Sequence, residues 1–171
     1  AYDKPAVLKI TAKSGYVLGK LTVDNQVVNL PEGTFDATTK VTTYAAYTTA
    51  NLKAAMSINV EFTAKKTVSV SASPLSATRD EIAADKNLPT VTFTPSISGQ
   101  KYQFKNASGT LMDKLPATDG VYTIVATSPE TADYAALTDE SNKFTISQAN
   151  KLSWSVEGEQ GTVTAKMGDK D

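Results

Sequence analysis

Gly120-Val121-Tyr122-Thr123-Ile124-Val125-Ala126-Thr127, answered further on by Lys143-Phe144-Thr145-Ile146, is the stretch on which the fold turns. Both runs are rich in β-branched and aromatic residues, which suit a pleated surface. The second alternates strictly. The first is apolar on both faces, which predicts a strand lying centrally in its sheet. An earlier pair repeats the theme: Thr11-Ala12-Lys13-Ser14-Gly15-Tyr16 leads toward Ser57-Ile58-Asn59-Val60-Glu61-Phe62. Period-two alternation bounded by turn formers predicts half-buried strands stacked into a sandwich.

Working outward, Leu8, Ile10 and Ala12 share one face of a strand and Lys9, Thr11 and Lys13 the other, until Gly15 ends it. Leu21 and Val23, then Asp24-Asn25, then Val27, Val28 and Leu30 read as a hairpin, because Asp and Asn tolerate the positive φ of a tight turn. Pro31-Glu32-Gly33 is a loop, and Lys40 to Tyr47 a further strand. The alanine-rich stretch from Thr48 to Met56 predicts one or two helical turns capped by Thr48 or Thr49. Ala64-Lys65-Lys66 reads as a domain boundary, since adjacent lysines between strand patterns are more easily solvated than packed. Beyond it, Val68, Val70 and Ala72 open a new unit. Ser73 to Pro89 carries turn formers and charges, which predicts irregular backbone with a short turn at Asp80 to Ala84. Val91 with Phe93, Tyr102 with Phe104, and Leu111 with Met112 mark short strands between Pro95, Gly99 and Gly109. Strands at this spacing build sandwiches, not parallel βαβ sheets.

Composition narrows the function classes. Hydrophobic residues make up 40% of the 171, enough for a packed core, and a chain of this length suits one large sandwich or two modest ones, of which we take two. With 17 basic and 18 acidic residues spread along the chain there is no basic stripe, so nucleic acid and anionic membrane surfaces lose their electrostatic basis. The chain has no histidine and no cysteine. That removes the commonest proton shuttle and transition-metal ligand, together with thiolate chemistry and disulfides. No stretch is apolar for long enough to span a bilayer, and no cofactor is implied. Ala1-Tyr2-Asp3-Lys4-Pro5 does not look like a signal peptide, and the chain is expected to be a mature fragment of something longer.

These residues carry two resemblances. Gly120 to Thr127, then Asp133-Tyr134, then Phe144-Thr145-Ile146 resemble the closing half of bacterial immunoglobulin-like domains of the MBG type, over about residues 67–148. Residues 6–64 resemble the divergent B-repeats of Gram-positive surface proteins through Thr11, Ala12, Gly15, Tyr16, Val23, Asp24, Ile58, Val60 and Phe62. Leu21 stands where that family has tryptophan and Asn25 where it has glycine. The strand with which that repeat family begins is matched instead by Trp154 to Ala165, so residues 152–165 read as the first hairpin of a following repeat, expected to dock on the edge of residues 6–13 or on the second unit. The fold these readings imply is all-β: two small β-sandwich or β-sheet modules in tandem, the second immunoglobulin-like. A B-repeat-like domain takes 1–65, an immunoglobulin-like domain 66–149 and a hairpin 150–171.

Candidate binding residues are few. Tyr44 and Tyr47 fall on opposite faces of a regular strand, so one of them faces solvent and offers a binding surface. Trp154, the sole tryptophan, suits stacking on a sugar ring or, more ordinarily, covering the end of a core. Tyr134 at its bend is expected to tie its hydroxyl to nearby backbone. The acidic runs Asp139-Glu140-Ser141-Asn142 and Gly168-Asp169-Lys170-Asp171 lack the spacing of a calcium loop and read as solvated turns, so no metal site is assigned. Glu61, Asp80 and Glu81 are the carboxylates available for glycoside hydrolysis, yet nothing pairs two of them across a cleft. The Gram-positive resemblance also brings a lysine-to-asparagine isopeptide crosslink, which needs a buried lysine, amide and acid. The expected function is a non-catalytic extracellular or cell-wall-attached spacer or adhesion module. Its partners would be host or cell-wall protein or glycan, besides adjacent domains of its parent chain, with neither nucleic acid nor membrane insertion. The alternative is a carbohydrate-binding accessory module of a secreted glycan-degrading enzyme.

Overall fold

The hairpin at Asp24-Asn25 organises the first part of the chain. The computed structural model describes residues 4–50, 55–148, 152–157 and 162–167, the last two spans by their backbone alone. Its elements are β1 (Val7–Leu8), β2 (Thr11–Ala12), β3 (Tyr16–Val23), β4 (Gln26–Val28), β5 (Thr34–Asp36), β6 (Val41–Thr43), β7 (Tyr47–Thr48) and β8 (Ile58–Ala64). Asp24 and Asn25 have φ of 48° and 65°, the left-handed pair that a two-residue turn demands, and Val23 pairs Gln26 across it. β3 lies between β4 and β8, and β6 between β2 and β5. At Gly19 the β3–β8 register shifts, and a side chain there would come within 2.7 Å of Thr63 Cγ2. Glycine at this bulge lets Thr63 keep its place, and any larger residue would have to push that side chain aside. Ile10, Leu21 and Val23 form the buried centre, with Leu18, Val28, Leu30, Tyr44, Tyr47, Met56 and Val60 around them.

The chain continues with β9 (Ser69–Ser73), β10 (Ser76–Thr78), α1 (Arg79–Ala83), β11 (Thr90–Thr94), β12 (Lys101–Lys105), β13 (Leu111–Met112), β14 (Gly120–Ser128), β15 (Leu137–Asp139) and β16 (Lys143–Ser147). The strand expected to be central is central: the order is β10-β16-β14-β12-β13, with β15 also on β14. It is not buried on both faces, however. Tyr122, Ile124 and Ala126 are buried, whereas on the other face Val121 is 55% exposed and Thr123, Val125 and Thr127 are half-buried. β10 joins β16 in parallel, Ser76 opposite Thr145. The stretch expected to be irregular is ordered by a capping box. The Thr78 hydroxyl accepts from the Glu81 N–H, and the Glu81 carboxylate accepts from the Thr78 N–H at 2.7 Å. Ala77, Ile82, Phe104, Tyr122, Ile124, Phe144 and Ile146 make the second core. The tyrosine that ties its hydroxyl to nearby backbone is Tyr122, which donates to the Thr118 carbonyl at 3.1 Å.

The chain is all-β and sandwich-like, built from several small sheets. It forms two compact units that interleave along the sequence. Unit one gathers Ala1–Val70, Thr92–Lys101 and Ala126–Asp139, and unit two gathers Ser71–Val91, Tyr102–Val125 and Glu140–Asp171. The helix expected near Thr48 to Met56 does not begin at its capping residues. Thr48 ends β7, and residues 51–54 lie outside the described part. β17 (Leu152–Glu157) and β18 (Thr162–Met167) form a two-stranded antiparallel sheet with Trp154 opposite Ala165. The Trp154 side chain and Gly168 to Asp171 lie outside the described residues. Among those described, no helix is long and apolar enough to cross a membrane.

Candidate functional site

Two constellations stand out, both inside unit one. The first grows from the inward row of β14. Tyr122, Ile124, Ala126 and Ser128 alternate into the interior, and Glu130 continues the same period. A carboxylate at an inward position has to be paired. Lys65, at the end of β8, supplies the partner: Nζ lies 2.7 Å from Glu130 Oε1, with side-chain exposures of 0% and 4%. The lysine expected in solvent is therefore buried, because its charge is matched where it lies. Nζ also donates to the Thr131 carbonyl at 2.6 Å and sits 4.1 Å from the centre of the Phe35 ring. Glu130 accepts two more bonds, from the Ser14 hydroxyl at 2.6 Å and the Gly15 N–H at 2.7 Å. Beside this pair Lys66 and Tyr134 form a parallel bridge, with the Lys66 ammonium 5.9 Å from the tyrosine ring.

Burial alone would raise the Glu130 carboxyl, but the bonds from Lys65, Ser14 and Gly15 outweigh it and hold the group at about 2. The folded value is thus depressed below the unfolded one. Its stabilisation is fully present above about pH 4.5 and drains away as pH falls toward 2, a loss on the order of 3 kcal/mol. Urea titrations of the wild type and Glu130→Gln between pH 6 and 3 should show that acid-dependent loss in the first and its absence in the second. Equal slopes in the two would refute the assignment. For crosslink chemistry, Lys65 and Glu130 supply a buried lysine and acid, but the lysine nitrogen faces a carboxylate and a peptide carbonyl, which makes an ion pair.

The second constellation is a cleft of about 390 Å³. Leu18, Leu30 and Pro31 wall it, Lys20, Glu32 and Asp133 stand along it, and Thr42 and Tyr44 also line it. Tyr44 and Tyr47 do not point to opposite sides. The strand breaks at residues 44–46, and that irregularity turns both rings onto the cluster around Leu21, each half-buried. Tyr44 accepts a 2.7 Å bond from the Leu18 N–H through its phenol oxygen. Thr42 is 3% exposed, and its hydroxyl, buried, has no hydrogen-bond partner among the described residues. Gly33 closes on both. A side chain there would fall 2.5 Å from Thr42 Cγ2 and 2.9 Å from Tyr44 Cε1.

Three of the other carboxylates singled out in the sequence have partners of their own. Glu81 accepts from the Asn87 amide at 2.7 Å besides the backbone of Thr78, Glu61 accepts from Asn59 at 3.1 Å, and Glu140 pairs with Lys105. Sequence reasoning singled out Tyr44 but not Thr42, Gly33, Lys65 or Glu130. The signal for Glu130 was present, since it prolongs the inward register of Tyr122, Ile124 and Ala126. No family model, curated protein or solved structure matches the chain.

Proposed function

We propose that the chain is a non-catalytic spacer or adhesion module of a bacterial surface or secreted protein, lying outside the cell or on its wall and built from a B-repeat-like and an MBG-type immunoglobulin-like part. The observation that supports this most is the Lys65–Glu130 pair. It cross-ties Ser14, Gly15, the end of β8 and the stretch after β14 within unit one, over a separation of 65 residues. A module that bears load along its chain gains from such internal ties, because tension must break a buried ion pair before the enclosed loop can pay out. Protein or glycan contact would use exposed strands and loops.

Pulling single molecules from their two ends tests the reading. We expect discrete rupture events, with the one assigned to unit one shifted to lower force in Lys65→Met. Smooth extension without rupture would rule out a load-bearing spacer. Antibodies against the chain should label intact cells of its source, and labelling only after permeabilisation would rule out the location.

A further inference from the structure

We propose that β8 pairs edge to edge with β8 of a second copy of this chain, antiparallel and centred on Val60. Among the described residues β8 has β3 as its only strand neighbour. The two ends of the strand show which way its backbone faces. The Ser57 carbonyl accepts from the Asp24 N–H at 2.8 Å, and the Lys65 N–H donates to the Gly15 carbonyl at 2.9 Å, both toward β3. Alternate residues of a strand turn their N–H and C=O to opposite edges. Asn59, Glu61 and Thr63 therefore address β3, while Ile58, Val60 and Phe62 turn theirs to the open edge. Proteins blunt such edges with lysine, proline, a bulge or sheer shortness. Ile58–Ala64 runs for 7 residues without lysine, proline or glycine, and the bulge beside it lies in β3. Apolar surface is left uncovered as well. Ile58 stands opposite Val23 and Val60 opposite Leu21, which puts this row on the core side of the sheet, yet Ile58 is 39% and Phe62 44% exposed.

A second copy fits because the strand is complementary to itself. Turned antiparallel about Val60, it sets Val60 opposite the partner's Val60 and Ile58 opposite the partner's Phe62. These are the residues whose backbone groups are turned outward, so each exchanges both bonds with its opposite, and the exposed apolar side chains cover one another. On the other face Asn59 meets the partner's Glu61, an amide donor against a carboxylate. Asn59 already donates to Glu61 of its own chain at 3.1 Å, and its amide has a second N–H to give. Neighbouring registers are worse. Centring on Glu61 sets two like charges in direct opposition, and centring on Asn59 carries Phe62 past the end of β8, opposite Met56. The twofold arrangement uses up both edges, so it closes at two copies. So short a contact lies below the area of a permanent dimer, and we expect a dissociation constant of about 10 µM to 1 mM. On a surface that displays many copies this is enough to pair neighbours, a consequence that rests on the surface reading while the pairing itself does not.

Sedimentation equilibrium and amide hydrogen exchange on the full chain, over a concentration series spanning that range, test the pairing. We expect a monomer–dimer equilibrium, with protection rising with concentration at the amides of Ile58, Val60 and Phe62 but not at those of Asn59 and Glu61, which β3 already holds. Asn59→Glu sets like charges opposite one another and should weaken self-association about five- to tenfold. The double variant Asn59→Lys with Glu61→Lys should be weakened similarly, and an equimolar mixture of the two variants should form mixed dimers more tightly than either pairs with itself. Both positions are exposed, so neither variant empties a core. A capped Thr-Val-Thr-Val-Thr-Val peptide is the probe for a foreign strand. Four results overturn the proposal: a chain monomeric at the highest concentration, association that protects other amides or grows past two copies, affinity indifferent to the charge variants, or protection conferred by the peptide and not by the chain itself. A chain that ruptures under load but stays monomeric fails here and leaves the spacer reading intact.

Discussion

Replacing Lys65 by methionine should lower the stability of unit one by about 3–5 kcal/mol, the cost of stranding a buried charge. The methionine fills much of the same volume, so packing loss is small and the electrostatic consequence dominates. Glu130 would keep the Ser14 hydroxyl and the Gly15 N–H, but would lose the ammonium that meets it at 2.7 Å. Glu130→Gln makes the opposite error, leaving the Lys65 ammonium without a counter-charge, among the Thr131 carbonyl, the Phe35 ring and at best a neutral amide oxygen. The double variant Lys65→Met with Glu130→Gln should cost less than the two single losses added together, because neither charge is then stranded. Urea unfolding of the four proteins closes the cycle. Additive single and double losses, or singles costing under about 1 kcal/mol, would mean that the pair behaves like a surface bridge.

The difference between what was legible in the chain and what was not follows from sequence distance. Asp24-Asn25 between Val23 and Gln26 announces its turn locally, as β-branched alternation announces β14 and β16, and those features hold. The Thr78–Glu81 capping box is just as local; reading that stretch for its turn formers hid a spacing that specifies a helix start. Lys65 is a different case. Its neighbour Lys66 suggested a solvated linker, whereas the residue that buries it stands at 130. No local pattern links them, and only the inward register of the row ending at Glu130 hints that a cation must come from elsewhere. The cleft is less legible still. Tyr44 was found as an aromatic on a strand, but its orientation depends on the break at residues 44–46, and the Thr42 hydroxyl is orphaned by neighbours that no periodicity names.

Phe144→Ala should cost about 3–5 kcal/mol in unit two, the range for emptying a phenyl-sized space in a core. Phe144 is 0% exposed and packs with Ile124, Ile146 and Tyr122 in a cluster drawn only from residues between Ala72 and Ile146. Leu21, 1% exposed, belongs to the other cluster, whose members all lie between Ile10 and Val60. The two clusters share no residue, so a hole in one should not be felt as lost packing in the other. Native-state hydrogen exchange separates the consequences. In Phe144→Ala, protection should fall at the amides of Tyr122 to Val125 and Phe144 to Ile146, while those of Leu21 to Val23 and Val60 to Phe62 keep theirs. Leu21→Ala, costing about 2–5 kcal/mol, should produce the reverse. The chain passes from one unit to the other within β14, at Val125 and Ala126, which gives any coupling a covalent route. If both variants strip protection equally from all four segments, the two clusters unfold as a single interior, and the division of this chain into two separately packed cores is wrong.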